Sequence, residues 1–181
     1  MQISTLFRRT LLTGMAALTY TLSCHAGSWE RIHPLTGVWG LHISQQGTLL
    51  ASSYTADASD GIYWSDDQGA TWTRADVADH NYTAFFETGD YIFALGYGCY
   101  MARSADGGHT WTVIDYRDMM NGIISPSDLD YTACYAMTER DGVIYAADFA
   151  GGVIYSEDMG ETWKHTEDSF FMVDNGGKGQ T

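Results

Sequence analysis

Serine, aspartate and threonine side chains recur at one fixed spacing in three parts of this chain. The pattern Ser-x-Asp-x-Gly-x-Thr-Trp occupies these positions: Ser65, Asp67, Gly69, Thr71 and Trp72; Ser104, Asp106, Gly108, Thr110 and Trp111; and Ser156, Asp158, Gly160, Thr162 and Trp163. Such hydroxyls and carboxylates can take part in catalysis, ligate a cation or bond the backbone N–H groups of a tight turn. The glycine favours a positive φ, and threonine followed by tryptophan favours a strand. We therefore expect each copy to be a turn between two strands, with a structural rather than a catalytic aspartate.

Metal and cofactor chemistry is not indicated by the remaining polar residues. The adjacent carboxylates of Asp66 and Asp67 suggest calcium, but the Asp-x-Asp-x-Asp-Gly spacing of a calcium loop is missing. The histidines beyond residue 26 have no metal-ligand spacing, and no phosphate loop or dinucleotide fingerprint occurs. We expect no metal and no cofactor.

Three copies of one pattern in register constitute an internal repeat, which dictates the architecture. The pattern resembles the Asp-box, or BNR repeat, of sialidase-like β-propellers and their relatives. The resemblance covers the three boxes and their flanking strands, and it is specific for fold but poor for function. It implies blades of four antiparallel strands, each with its box at the turn between the third and fourth strands.

Short apolar segments separated by Gly and Asp turns surround each box, as in a propeller blade. They predict four-stranded units over about residues 38–77, 82–116 and 131–166, with an insertion near 116–130. No segment after residue 26 has a helical period. Segments 28–33 and 170–173 predict partial strands at the two ends of an all-β domain over residues 27–175, followed by a flexible tail at 176–181.

Three units with partial strands do not close a ring, which takes about four to eight blades. The sequence leaves three explanations open. The chain is a truncated member of a longer family, it pairs with another copy to complete a ring, or it packs its blades in an open or compacted form.

The first 26 residues have the features of a signal peptide. Arg8 and Arg9 precede an apolar run over residues 11–22, and Ala26 ends a cleavage motif. The run is too short for a membrane span, so the mature chain is expected to be periplasmic or secreted, with no transmembrane segment. A lipid anchor at Cys24 is less favoured, because Thr21 stands where such a motif usually has leucine.

Charge excludes one class of partner. The chain carries a formal net charge of −14, and removing residues 1–26 with their two arginines leaves 7 basic against 23 acidic residues, or −16. Such a surface repels nucleic acid.

Two cysteines, Cys99 and Cys134, remain after cleavage. They are either one disulfide between neighbouring blades or two buried free thiols.

The resemblance also implies an enzymatic alternative, a sialidase-like glycoside hydrolase. That activity is expected to need three arginines around a substrate carboxylate, a Tyr–Glu nucleophile pair and an acidic residue. The mature chain has five arginines, and no set of three is evident among Arg31, Arg74, Arg103, Arg117 and Arg140. We assign no catalytic residue.

Aromatic residues are abundant, with 12 Tyr, 7 Phe and 6 Trp. Four of them are expected in loops or at strand ends, where they suit stacking on sugar rings or docking a protein: Tyr54, Tyr97, Tyr116 and Phe149. We expect an exported, non-catalytic repeat protein that binds a protein or glycan partner. An assembly or stability factor for a membrane complex, as some Asp-box propellers are, is a further alternative.

Overall fold

The computed structural model describes residues 35, 37–54, 61–78 and 80–166. Every described residue lies within one compact unit, Ile32–Thr181. The expected signal peptide, lipid anchor, end strands at 28–33 and 170–173, and tail at 176–181 lie outside the described residues and stay predictions.

The described residues form three four-stranded antiparallel sheets. The first contains β1 (Val38–Ile43), β2 (Leu49–Ser53), β3 (Gly61–Ser65) and β4 (Thr73–Arg74); the second contains β5 (Tyr82–Thr88), β6 (Tyr91–Gly96), β7 (Tyr100–Ser104) and β8 (Thr112–Asp115); the third contains β9 (Cys134–Arg140), β10 (Val143–Asp148), β11 (Gly152–Ser156) and β12 (Lys164–His165). Each sheet orders its strands as the chain does. The predicted all-β fold of propeller-type blades in an incomplete ring is confirmed.

Each box forms the turn between the third and fourth strands of its sheet. In the first, the Ser65 hydroxyl donates to Asp67 Oδ1 at 2.8 Å and accepts the Gly69 N–H at 2.9 Å. Asp67 also accepts the Thr71 N–H at 2.8 Å and the Thr71 hydroxyl at 2.6 Å. These bonds from Thr71 lower the pKa of Asp67 to about 2. The other two boxes repeat this arrangement around Asp106 and Asp158.

The alternation of side chains along β6 joins the three sheets. Ile92 and Ala94 are buried in a core cluster shared with the first sheet, whereas Phe93 and Leu95 are buried in one shared with the third. Successive strand residues point to opposite faces, so a continuous apolar run is buried on both sides. The second sheet is therefore enclosed between its two neighbours.

The connection between the second and third sheets differs from the prediction. A short helix, α1 (Arg117–Met120), follows β8, and its Met120 is buried in the core. A single turn is too short to show a helical period, so periodicity could not indicate it. The first strand of the third unit begins at Cys134 rather than at Tyr131.

Candidate functional site

The first strand of each sheet carries a β-bulge at the same place. Pairing between the first and second strands skips one residue, which is Trp39 in β1, Thr83 in β5 and Tyr135 in β9. A bulge re-aims the side chain of the extra residue and is common beside functional sites. Two of the three re-aimed side chains are large aromatics.

An aromatic residue also follows the second strand of every sheet. These residues are Tyr54, Tyr97 and Phe149. Their backbone N–H groups donate to equivalent carbonyls, those of Gly37, Asn81 and Ala133, at 2.9, 3.2 and 2.9 Å. The three aromatics therefore occupy one position of the structural repeat.

The aromatic residues at the bulges contact those that follow the second strands, and their rings meet edge to face. The Trp39 and Tyr54 ring centroids are 5.9 Å apart, and the Tyr135 ring lies 6.0 Å from Tyr97 and 6.3 Å from Phe149. The Tyr97 and Tyr135 hydroxyls are hydrogen-bonded at 2.9 Å, and this bond raises the pKa of Tyr135. We call the following set the aromatic end: Trp39, Tyr54, Tyr97, Tyr131, Tyr135 and Phe149.

The aromatic end lies opposite the boxes. Ile43, at the end of β1, pairs with Leu49, which pairs with the box residue Ser65, whereas Trp39 lies at the start of β1. Its rings are accessible, since the exposed fractions of Trp39, Tyr131, Tyr135 and Phe149 are 54%, 77%, 50% and 72%. Large exposed apolar patches mark interaction surfaces.

A cleft of about 320 Å³ opens at this end, lined by Trp39, Tyr54, Asn81, Tyr82, Thr83, Tyr97, Asp130 and Tyr131. A second hollow of about 200 Å³ adjoins it, also lined by Asn81, Tyr97 and Asp130. Asp130 is the one carboxylate among the described residues that line either space. The cleft thus offers rings, hydroxyls and an amide, which are groups for binding by contact and hydrogen bonding, and it lacks the paired carboxylates of glycoside hydrolysis.

Three of the four predicted stacking residues, Tyr54, Tyr97 and Phe149, come together at this end. Tyr116 does not, and that assignment was wrong. Its side chain is buried in the core, and its hydroxyl donates to Asp148 at 2.9 Å. Burial, followed by the charge of Asp148, raises its pKa.

Sequence reasoning missed Trp39, Tyr131 and Tyr135. Trp39 and Tyr135 lie in strand segments where alternation marks aromatics as core residues, and only pairing with the next strand reveals the bulge. The repeat is the signal that could have found two of them, because Trp39 and Tyr135 precede the aromatics at 54 and 149 by 15 and 14 residues.

Cys99 and Cys134 are both free thiols in this structure and are buried in one core cluster. Burial, with the nearby charge of Asp148, raises the pKa of each to about 12. A protonated thiol of this kind is a poor nucleophile. A disulfide between them stays a prediction.

The other groups considered in the sequence have local partners. Asp66 accepts the Thr48 hydroxyl at 2.8 Å and lies 2.9 Å from His109 Nε2. Within the described residues, no cluster of three His, Cys, Asp or Glu side chains is placed to bind a metal ion. In the same part of the chain, no helix has the length and hydrophobicity needed to cross a membrane.

Comparison with known proteins supports the fold. No protein-family model matches the chain, and no curated protein matches it. Among solved structures, it is similar to YCF48 from Cyanidioschyzon merolae (TM-score 0.52, 20% identity, 77% of this chain and 40% of that one). It is also similar to YCF48 bound to D1 peptide, with a TM-score of 0.51 and 17% identity over 76% of this chain and 43% of that one. A third similar structure is virginiamycin B lyase from Staphylococcus aureus, with a TM-score of 0.52 and 15% identity over 78% of this chain and 45% of that one.

The chain spans 40–45% of the length of these structures. The three sheets and the neighbours together define a protein with a β-propeller-type fold. At these identities the similarity extends to the fold alone.

Proposed function

We propose that this chain is an Asp-box binding module whose aromatic end binds a segment of a protein partner. The observation that carries the proposal is the repetition of aromatics at one structural position, Tyr54, Tyr97 and Phe149, beside the bulged Trp39 and Tyr135. Tyrosine and tryptophan are the residues enriched at the energetic centres of protein interfaces.

A protein segment fits this surface better than a sugar. The ring pairs meet at 78°, 85° and 89°, so the aromatic end is an uneven surface with a cleft rather than a flat platform for a pyranose ring. A cleft of about 320 Å³ suits an inserted side chain. The fold similarity to YCF48 bound to D1 peptide agrees with this class of ligand. The net charge of −14 disfavours an acidic partner.

The finer assignment to Asp-box proteins rests on the boxes. All three have the same spacing, and in all three the serine and aspartate hold the turn between the third and fourth strands. Export remains part of the proposal through the features of residues 1–26. The module would then meet its partner outside the cytoplasm.

No observation favours the hydrolase. Arg103 donates to the Met159 carbonyl at 2.7 Å and to Glu161 at 2.5 Å, and Arg117 lies 4.3 Å from the Tyr100 ring centroid. Arg140 lies beside Asp141. Among the described residues these guanidinium groups have separate surroundings, and none of them lines the cleft.

A parallel screen tests the proposal. The purified chain is screened against a displayed random-peptide library and a glycan array. Affinities for the enriched peptides are then measured for the chain and for the triple variant Trp39→Ser/Tyr135→Ser/Phe149→Ser. We expect peptide enrichment and a loss of roughly tenfold or more in the triple variant, as for central interface aromatics.

Ile43→Ser is the matched control. Ile43 is also an exposed apolar residue on a first strand, but it lies at the box end of the sheet. It should leave the affinity for a monovalent peptide unchanged. Binding of glycans alone, or peptides that bind the triple variant as well as the parent chain, would refute the proposal.

A further inference from the structure

The stacking of one sheet on the next uses the same contact twice. In the second box, a Cβ on Gly108 would lie 2.4 Å from Leu50 of the first sheet. In the third box, a Cβ on Gly160 would lie 2.5 Å from Phe93 of the second sheet. The second and third boxes therefore each pack their glycine against one large side chain of the preceding sheet.

The register of the strands identifies the equivalent position in the third sheet. Leu49, Ile92 and Ile144 each pair with the serine of their own box. The next residues along the chain are Leu50, Phe93 and Tyr145. Leu50 and Phe93 are 0% exposed beneath a box glycine, whereas Tyr145 is 38% exposed.

A second contact repeats in the same way. In the first two sheets, the residue before the box serine contacts the following box. The Trp64 ring lies 4.4 Å from His109, and Arg103 bonds Glu161 and the Met159 carbonyl. The equivalent residue of the third sheet is Tyr155, whose ring stacks on Tyr145 at 6.3 Å. Tyr145 and Tyr155 thus form the kind of surface on which a following box packs in the other two sheets. None of the three described boxes packs on it.

The first sheet carries the other half of this interface. Phe85 and Glu87 of β5 face the preceding sheet, where Phe85 joins the shared core and Glu87 lies 2.8 Å from His42. Their equivalents in β1 by register are Leu41 and Ile43. These side chains are apolar and 68% and 63% exposed.

We infer that the third sheet binds the first sheet of a second copy of this chain, head to tail. The occupant follows from continuity, because the contact would repeat one that the chain already makes twice. Both halves are present on the same molecule. Two copies joined in this way at both ends contain six sheets, within the range of about four to eight in closed rings. The inference goes beyond the proposed function and uses no residue of the aromatic end.

The mass of the full chain in solution, measured by sedimentation and by light scattering, tests the inference. We expect twice the mass of one chain. Leu41→Asp and Tyr145→Asp, on opposite faces, should each give a monomer, because a buried unpaired carboxylate would lie in both interfaces of the pair. Tyr131→Asp changes an exposed aromatic at the other end of the sheets; it is the control and should leave the dimer intact.

Mixing the two monomeric variants distinguishes head-to-tail pairing from any other contact. The Leu41→Asp chain keeps an intact third sheet, and the Tyr145→Asp chain keeps an intact first sheet. An equimolar mixture should therefore form a heterodimer through one unmodified interface.

Thermal melting confirms that each variant is folded, and Ile43→Asp or Tyr155→Asp replaces one that is not. A monomeric parent chain, a dimer insensitive to both substitutions, or no recovery on mixing would overturn the inference. A parent chain that is monomeric because its own undescribed residues cover these faces counts among those outcomes.

Discussion

At the scale of single residues, the serine, aspartate and threonine side chains of the three boxes hold turns. Each box aspartate accepts hydrogen bonds from the serine and threonine of its own motif and from backbone N–H groups. These bonds hold the pKa of Asp158, like that of Asp67, at about 2. A carboxylate engaged in this way is not available as a general base near neutral pH.

The structural role predicts the effect of Asp106→Ala. Asp106 accepts the Thr110 N–H at 2.9 Å, the Thr110 hydroxyl at 2.7 Å and the Ser104 hydroxyl at 2.8 Å. Losing these bonds should lower the free energy of unfolding by roughly 1–3 kcal/mol, measured by urea denaturation. Asp90→Ala, in the exposed turn between β5 and β6, is the control and should have little effect. A stable Asp106→Ala variant that loses peptide binding would contradict the structural role.

His109 should make stability depend on pH. It lies 2.9 Å from Asp66 and bridges the first and second sheets. The hydrogen bond to Asp66 raises the pKa of His109 above its usual 6.5. Because the folded pKa is the higher one, the stabilisation is complete below pH 6.5 and is lost as pH rises through the folded value.

Urea midpoints measured from below pH 6.5 to mildly alkaline pH should therefore fall for the parent chain. The fall should be smaller for His109→Gln and for Asp66→Asn, in which the charged pair is absent. If the urea midpoint changed equally with pH in the parent chain and both variants, the His109–Asp66 bridge would not couple protonation to folding.

At the scale of elements, the contact between a box and the preceding sheet depends on glycine. Gly108 has a φ of +100°, and an added Cβ would lie 2.4 Å from Leu50 Cδ2. Gly108→Ala therefore combines backbone strain with overpacking, and the overpacking alone should destabilise the chain by roughly 1–3 kcal/mol.

Gly47→Ala is the control, since Gly47 has a similar φ of +92° but no atom within 4 Å of the added Cβ. In a double-mutant cycle, Leu50→Ala and Gly108→Ala together should lower the free energy of unfolding by less than the sum of their separate effects. Additive losses would mean that Leu50 and Gly108 do not share a contact.

The strands themselves were predictable. The first two sheets begin at Val38 and Tyr82, where their units were predicted to begin, because box, turn and apolar alternation all agree there. The bulges at Trp39 and Tyr135 were not predictable from one strand, since a bulge exists only in the pairing of two. Tyr116 was misassigned because the sequence places it at a strand end, whereas α1 and Asp148 enclose it. The core around a connection depends on long-range packing, which local patterns do not contain.

At the scale of the whole molecule, the two ends of the sheets differ. The box end carries turns stabilised by internal hydrogen bonds, and the aromatic end carries exposed rings around a cleft. A scaffold that repeats one rigid turn can vary the residues at its other end with little cost to the fold. We therefore place binding at the aromatic end and structural roles at the boxes.

Photo-crosslinking tests this placement most directly. The photoreactive residue p-benzoylphenylalanine replaces Phe149 in one variant and Asp90, at the box end, in the other. Each is expressed in the producing cells, irradiated, and its adducts are identified by mass spectrometry. Our account predicts an adduct with one protein partner at position 149, lost with Trp39→Ser/Tyr135→Ser, and no such adduct at position 90. Equal adducts at both positions, or only glycan adducts at 149, would contradict it.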